Sequence, residues 1–253
     1  MKPYLSPAGF KIFAHRGSTE SGARENTLAA FQTAVDAGVT YLETDVQATK
    51  DGVAVLFHDS IVEYAPHWVY RMRDYTHDQV DNFLSSRNDL RLPTLADALA
   101  KFPNSKFNLD LKTKEAVAPT IAVIKELRCE NRVLVSSFSG RRRRKAVKQL
   151  PGVATSPNAL LVLGIWLAAR LGLTKTLWRV LRKVDALQIP TNFFGMLRFD
   201  NKSFIDTIHE YGVELHYWTI NSVDEARRLK ELGADGIVTD ASKLMMSVFG
   251  NKQ

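Results

Sequence analysis

The stretch FKIFAHRGSTESGARENTLAAFQTAVDAGVTYLETDVQ, residues 10–47, contains the pattern that decides the fold. FKIFAH (residues 10–15) is typical of a β-strand. TLAAFQTAVDAG (residues 27–38) has apolar residues at helical spacing and a glycine where the helix should end. TYLETDVQ (residues 40–47) is again typical of a strand. Strand, helix and strand in this order predict a unit of a parallel α/β sheet.

The same alternation continues to the end of the chain. Six further segments resemble barrel strands, each followed by a helical pattern: residues 106–112, 132–138, 152–156, 186–192, 213–221 and 234–240. About eight parallel strands in 253 residues predict a (β/α)8 TIM-type barrel, which typically needs roughly 250 residues. We therefore expect one domain over residues 1–253, with the barrel at about 10–249.

One unit after the second strand departs from this pattern. Lys50-Asp51-Gly52 separates it from VAVLFHD (residues 53–59), and Asp-Gly between two strand-like runs predicts an antiparallel β-hairpin. The next residues are aromatic-rich and lack clear periodicity. We expect a small irregular insertion at about residues 59–90.

Composition limits the classes of partner and compartment. The formal net charge is +7, which suits nucleic acid, a membrane surface or an anionic substrate. The basic run RRRRK (residues 141–145) is interpreted as a solvated helix start, and without a nucleic-acid-binding motif we expect no nucleic-acid partner. Cys129 is the single cysteine, and residues 1–10 lack the apolar core of a signal peptide, so we expect a cytoplasmic protein.

Charged side chains cluster at the predicted strand ends, where the active sites of such barrels lie. Glu43 and Asp45 are two residues apart on one strand and point to the same face. Asp110, at the end of a later strand, would add a third carboxylate. Crowded carboxylates need a compensating charge, and oxygen ligands suit Mg²⁺ or Ca²⁺.

Two histidines, His15 and His58, end strands beside these acids and can exchange protons near neutral pH. Arg16 and Lys112 would bind an anionic group such as a phosphate. Gly17 would let the backbone approach the ligand closely. The remaining histidines have no comparable neighbours in the pattern: His67, His77, His209 and His216.

The segment ALLVLGIWLAARLGL (residues 159–173) is strongly apolar but too short for a confident membrane span. Three interpretations remain open: a barrel helix buried on its inner face, an apolar lid, and a surface that contacts lipid. The last would make the protein peripheral to the membrane, aided by its basic residues.

Seven ordered blocks resemble the glycerophosphodiester phosphodiesterase family of PLC-like phosphodiesterase TIM barrels. They extend along most of residues 10–240: HRG, ENTLAAF, ETDVQATKDGVAVLFHD, LPTL, NLDLK, SSF and YWTIN…LGADGIVTD. The resemblance implies metal-dependent hydrolysis of a small glycerophosphodiester to an alcohol and glycerol 3-phosphate, through a cyclic phosphate. It also implies the residue roles: His15 and His58 as acid and base, Glu43, Asp45 and Asp110 as ligands of Mg²⁺ or Ca²⁺, Arg16 and Lys112 as phosphate contacts, and Trp218 as an apolar wall.

The chain departs from the usual family pattern at two places. Asp110 stands where glutamate is usual, so its carboxylate reaches less far and could bind through a water or favour another cation. Arg24 stands where proline is common. We expect Glu25 and Asn26 to cap the first helix together with Thr27, with a metal or substrate role for Glu25 as the alternative.

Two other functions stay open at this point. The apolar segment and the positive charge would suit a lysophospholipase D or sphingomyelinase D-like activity on membrane lipids. A barrel that binds a phosphodiester without turnover is the second, although two proton-carrying histidines argue against it.

Overall fold

The computed structural model describes residues 2–59, 61–65, 68–88, 90–193 and 197–250, and it has the predicted alternation. The strands are β1 Lys11–Ala14, β2 Tyr41–Ala48, β3 Ala54–Leu56, β4 Ile61–Ala65, β5 Trp68–Arg71, β6 Lys106–Leu111, β7 Val133–Ser136, β8 Ala154–Thr155, β9 Ala186–Ile189, β10 Asn192–Phe193, β11 Leu197–Arg198, β12 Glu214–Tyr217 and β13 Gly236–Thr239. The helices are α1 Leu28–Asp36, α2 His77–Asn88, α3 Leu95–Lys101, α4 Val117–Glu126, α5 Gly140–Gln149, α6 Ala159–Arg170, α7 Thr174–Leu181, α8 Lys202–His209, α9 Val223–Leu232 and α10 Ser242–Phe249.

Eight parallel strands form a nearly closed barrel, in the order β8-β7-β6-β2-β1-β13-β12-β9. The two end strands are joined by few hydrogen bonds. The Asp185 amide donates to the Thr155 carbonyl at 2.9 Å, and the Gln188 amide donates to Ser156 Oγ at 3.0 Å. The prediction of a (β/α)8 barrel is confirmed. The boundary of a single domain at residues 1–253 stays a prediction.

The first β-α-β unit follows its sequence pattern closely. Thr27 precedes α1, and its hydroxyl accepts a hydrogen bond from the Ala30 amide at 3.1 Å, as an N-cap should. Phe31 and Ala34 are buried on the face of α1 toward the barrel. The helix ends at Asp36, and Gly38, two residues later, has a φ of +89°.

The predicted hairpin is present, since β3 runs antiparallel to β2 with Val46 opposite Leu56. The insertion is more regular than expected, because it contains the β4–β5 pair and helix α2. Helix α2 was hard to predict because its sequence is mostly polar, and Val80 and Leu84 are the only fully buried residues among those of its side chains that the structure describes. Ser60, Pro66, His67 and Asp89 of this insertion lie outside the described residues.

The amino end of the barrel is closed by aromatic and charged side chains. Tyr4, from a short 3₁₀ turn, is fully buried against Tyr41. Lys11 Nζ lies 2.9 Å from Glu214 Oε1, and His216 Nε2 lies 2.9 Å from Glu214 Oε2. Burial alone would raise the pKa of Glu214, but its hydrogen bonds with His216 and Lys11 lower it below the usual range. His216, expected to lack acidic neighbours, is thus part of a buried ion-pair cluster far from the strand ends that carry His15 and His58.

The apolar segment at residues 159–173 forms α6 and the turn after it. Val162, Ile165 and Ala168 are buried, as expected for a barrel helix with an apolar inner face. Among the described residues, no helix is both long and apolar enough to cross a membrane.

Candidate active site

A cavity of about 370 Å³ opens at the carboxyl ends of the barrel strands. Its size is within the usual range for small-molecule sites. The structure brings all eight predicted site residues to its walls: His15, Arg16, Glu43, Asp45, His58, Asp110, Lys112 and Trp218. The barrel topology explains this convergence, because residues far apart in sequence follow neighbouring parallel strands.

His15 directly follows β1, and its ring is held by a hydrogen bond at Nδ1. Nδ1 lies 2.6 Å from Asp240 Oδ1, and Nε2 lies 3.9 Å from Glu43 Oε2. Burial alone would lower the pKa of His15, but the hydrogen bond to Asp240 and the charge of Glu43 raise it. With Nδ1–H donated to Asp240, Nε2 is the nitrogen directed toward the cavity.

Asp240 was not among the predicted site residues. It follows β13, the strand beside β1, and is itself held by Asn221. The Asn221 Nδ2 donates to Asp240 Oδ2 at 2.8 Å, and the Asp240 amide donates back to Asn221 Oδ1 at 2.9 Å. The signal that could have found Asp240 was available, since GIVTD ends the last predicted strand with a carboxylate.

His58 also lines the cavity, two residues after β3. Its side chain is half-exposed, and Nδ1 lies 2.8 Å from Asp59 Oδ1. The His58 carbonyl accepts a hydrogen bond from Gln47 Nε2 at 3.0 Å, which fixes the backbone of the hairpin end to β2. His58 is therefore oriented by the same kind of histidine–carboxylate contact as His15.

The three predicted metal ligands lie on two paired strands. Glu43 and Asp45 both face the interior from β2, and Asp110 of β6 is the register partner of Asp45. Lys112 Nζ lies between them, 2.8 Å from Asp45 Oδ1 and 2.9 Å from Asp110 Oδ2. Burial alone would raise the pKa of Asp45 and lower that of Lys112. The charge of Lys112 instead lowers the pKa of Asp45, and the charges of Asp110 and Asp45 raise that of Lys112.

Glu43 lacks such a strong cationic partner. Burial, and next the charge of Asp45, raise the pKa of Glu43 to about 8. The Arg16 amide donates to Glu43 Oε2 at 3.1 Å, whereas the Arg16 guanidinium is turned toward other carboxylates. Its Nε lies 2.9 Å from Asp45 Oδ2 and its Nη1 lies 3.0 Å from Glu25. The cavity floor therefore brings three carboxylates together with two cations, and the raised pKa of Glu43 reduces the excess of negative charge.

The oxygen atoms and negative charge of these carboxylates suit a divalent cation, although the three side chains do not converge on one point. In the part of the chain that the structure describes, no three acidic, histidine or cysteine side chains converge closely enough to hold a metal ion. The donor set of Glu43, Asp45 and Asp110 nevertheless consists of oxygens only, which suits Mg²⁺ or Ca²⁺. Asp110 Oδ1 is buried and has no hydrogen-bond partner. Donor type and charge thus fit such an ion, provided that the Lys112 ammonium moves away from between the two aspartates.

Residues of the ENT motif have a different role from the expected one. Thr27 caps α1 alone. Asn26 instead donates from Nδ2 to Asp45 Oδ2 at 3.1 Å and accepts from Thr44 Oγ1 at 2.7 Å, so it orients a carboxylate of the site. Glu25 pairs with Arg16. The sequence pattern suits a helix cap, so it did not predict the contacts of Asn26 with β2 and of Glu25 with Arg16.

Gly17 is also used differently from expectation. Its φ is +88°, and a Cβ at this position would lie 2.6 Å from Ala30 Cβ and 2.8 Å from the Ala30 carbonyl carbon. The close approach that requires glycine is therefore to helix α1, rather than to a ligand.

The cavity wall opposite the charged floor is apolar. Trp218 lines it as expected, and further apolar side chains come from the loop after β7, from α6, from the end of β9 and from the residue after β11. They are Phe138, Leu160, Val162, Leu163, Ile189 and Phe199. The site thus combines an ionic floor with an apolar wall.

Comparison with known proteins gives the family. The sequence model of the glycerophosphoryl diester phosphodiesterase family matches residues 15–244. A relative named probable glycerophosphodiester phosphodiesterase 2, from Mycobacterium tuberculosis, is 36% identical over 97% of this chain and 92% of its own. A human lysophospholipase D is 24% identical over 91% of this chain and 83% of its own.

Solved structures show the same fold. A phosphodiesterase of Oleispira antarctica, in complex with the product sn-glycerol-3-phosphate, has a TM-score of 0.74 at 22% identity. The comparison covers 94% of this chain and 95% of that one. Together with the family match, the sequence relatives confirm the predicted enzyme class, a phosphoric diester hydrolase. The chain belongs to the glycerophosphoryl diester phosphodiesterase family.

Proposed function

We propose that this protein hydrolyses small glycerophosphodiesters to an alcohol and glycerol 3-phosphate in the cavity at the carboxyl ends of its strands. The observation that carries this is that His15 and His58 both line one cavity whose floor is built of carboxylates and two cations. A site of this kind can supply both a proton acceptor and a proton donor for an exchange at phosphorus.

The proton transfers can be assigned to atoms. One histidine accepts the proton of the glycerol 2-hydroxyl as that oxygen forms a bond to phosphorus. The other histidine donates a proton to the alcohol oxygen as its bond to phosphorus breaks. Water then opens the resulting cyclic phosphate with the proton transfers reversed, which yields glycerol 3-phosphate. In both side chains Nδ1 contacts a carboxylate, so Nε2 is the nitrogen that we assign to these transfers.

Arg16 and Lys112 are the groups that we assign to the phosphate. Both now neutralise Asp45, so they are already held at the cavity floor and lose little side-chain freedom when an anion binds. Arginine suits this task because its guanidinium can donate two parallel hydrogen bonds to phosphate oxygens.

Glu43, Asp45 and Asp110 are the residues that would hold a divalent cation. Such an ion would stabilise negative charge on the phosphoryl oxygens and lower the pKa of the attacking hydroxyl. Asn26 and the Arg16 amide orient Asp45 and Glu43 for this purpose. The shorter side chain of Asp110 leaves the preferred cation open between Mg²⁺ and Ca²⁺.

A second substrate class is favoured by the apolar wall. Phe138, Leu160 and Leu163 would contact an acyl chain, while the phosphodiester lies at the ionic floor. Lysophospholipids carry the same phosphodiester bond and one such chain. Release of choline from lysophosphatidylcholine at a rate equal to or above that from glycerophosphocholine would favour this class.

The direct test is release of glycerol 3-phosphate from glycerophosphocholine in the presence of Mg²⁺ or Ca²⁺. We expect His15→Ala and His58→Ala each to lose at least 100-fold in kcat, because general acid–base catalysis contributes about 10²–10⁴-fold. His209→Ala is the matched control, since His209 lies outside the cavity and pairs with Asp235. Wild-type protein that binds the substrate without any turnover would instead support a non-catalytic barrel.

A further inference from the structure

The outer face of helix α6 is apolar although it faces solvent. Residues 159–169 contain no polar side chain, and the inner face already buries Val162, Ile165 and Ala168. On the other face Leu160, Leu167 and Leu171 are 79%, 52% and 62% exposed. Helices on the surface of soluble proteins usually turn a polar face to water. Packing of the barrel therefore explains one side of α6 but not the other.

These exposed side chains form a continuous stripe. Positions 160, 164, 167 and 171 succeed one another at steps of four, three and four residues, so they lie on one side of the helix. Leu160 and Leu163 also line the mouth of the cavity, together with the exposed ring of Phe138. The stripe thus begins at the cavity and continues along α6 away from it.

The surrounding sequence has charge of a single sign. Residues 131–184 contain 12 lysines and arginines and no aspartate or glutamate, whereas the other 199 residues contain 22 basic and 27 acidic residues. This segment therefore has a formal charge of +12, and the remainder of the chain −5. The basic character of the protein is thus concentrated around α6.

The basic side chains flank both ends of α6. At its start, a Cβ at Gly140 of α5 would lie 3.1 Å from Arg144 Nη1 and 3.3 Å from Oδ1 of Asn158, the residue that precedes α6, so the start of α5 adjoins that of α6. Arg141 and Lys145 of α5 are exposed as well. Beyond the other end, α7 packs against α6. Helix α7 and the residue that caps its end carry three exposed bases with an exposed tryptophan among them: Lys175, Arg179, Arg182 and Trp178.

We propose that the outer face of α6 inserts into the surface of an anionic lipid bilayer, with the basic side chains of α5 and α7 bound to the headgroups. Leucines on one face and lysines or arginines beside them are the features of helices that lie in a membrane interface. The Arg182 guanidinium lies 4.4 Å from the ring centroid of Trp178, and an amphipathic tryptophan of this kind suits the headgroup level. Membrane binding through this face extends beyond the proposed hydrolysis and does not depend on it.

The test is co-sedimentation of the full chain with phosphatidylcholine vesicles that contain either no or about one quarter phosphatidylglycerol. We expect binding to the anionic vesicles at about 50 mM salt, weaker binding at about 500 mM salt, and little binding to neutral vesicles. Leu167→Ser combined with Leu171→Ser should reduce the partition coefficient at least tenfold. The control is Leu244→Ser with Val248→Ser, two comparably exposed apolar residues of α10, which should bind like wild type.

The variants also separate this surface from the active site. Leu167 and Leu171 do not line the cavity, so their double variant should retain wild-type hydrolysis of water-soluble glycerophosphocholine, which shows that it is folded. His15→Ala should bind vesicles like wild type even if it is inactive. Absence of wild-type binding to anionic vesicles at low salt would overturn membrane insertion. Equal binding by the leucine double variant would overturn it too, because adsorption would then rest on charge alone.

Discussion

Substitution of Asp240 by asparagine tests how His15 is positioned. The change keeps the shape of the side chain but removes the negative charge 2.6 Å from His15 Nδ1. A hydrogen bond to a charged group contributes about 1.5–3 kcal/mol. The Asp240 side chain is 51% exposed, so solvent screening reduces this to about 1–2 kcal/mol. If His15 transfers a proton in the rate-limiting step, kcat should therefore fall roughly 5- to 30-fold.

The assay is steady-state release of glycerol 3-phosphate from glycerophosphocholine. Asp240 is not among the residues that line the cavity, so KM should stay within about twofold while kcat falls. Asp224→Asn is the matched control, because Asp224 is 91% exposed and makes only a surface ion pair with Arg227. An Asp240→Asn variant with wild-type kcat would refute the reasoning that this carboxylate orients the catalytic ring.

Two stability predictions follow from features outside the catalytic groups. Gly17→Ala should destabilise the fold by about 2–4 kcal/mol, because the new Cβ would collide with Ala30 and the φ of this residue is left-handed. Gly22→Ala is the control: its φ is also left-handed (+84°), but its Cβ would meet open space, so it should cost about 1–2 kcal/mol. Urea unfolding of both variants measures the difference, and equal losses would contradict the close approach. Glu214→Gln should cost about 3–5 kcal/mol at pH 7, because it leaves Lys11 buried without its charge partner. The folded-state pKa of Glu214 is lowered, so its contribution is present above the unfolded pKa near 4.5 and is lost as the pH falls through the folded value. The difference in thermal stability from wild type should therefore shrink in acid, and a constant difference from pH 7 to pH 3 would contradict the assignment.

The alternation of strands and helices was predictable because period and turn chemistry are local. Glu43 and Asp45 could be placed on one interior face from their spacing alone, and the hairpin followed from Asp51-Gly52. Helix α2 could not be foreseen, since its two buried residues give too weak a periodicity.

The contacts between separate helices and strands could not be predicted from local sequence patterns. Asn26 looked like part of a helix cap, yet it binds Asp45, 19 residues away. Gly17 looked like a ligand contact, yet it touches α1. The contact of Asp240 with His15 could be predicted only by knowing that the last strand lies beside the first. The contact between Asp240 and His15 depends on barrel closure, whereas the other two lie within the first β-α-β unit. All three join separate elements, which the pattern of a single strand or helix does not encode.

The same limit applies to the apolar segment of α6. Sequence alone favoured a barrel helix buried on its inner face and left a lid and a lipid-contacting surface open as alternatives. The structure separates two faces of that run, one packed on the barrel and one exposed. The charge distribution of residues 131–184 then favours lipid over the lid.

The measurement that tests the central claim most directly is the rate of glycerol 3-phosphate release by enzyme treated with EDTA, before and after addition of Mg²⁺ or Ca²⁺. The claim is that Glu43, Asp45 and Asp110 form a cation-dependent floor on which His15 and His58 act. We expect little release before addition, recovery afterwards in wild type, and no recovery in His15→Ala. Full activity in EDTA, or undiminished activity in His15→Ala, would contradict it.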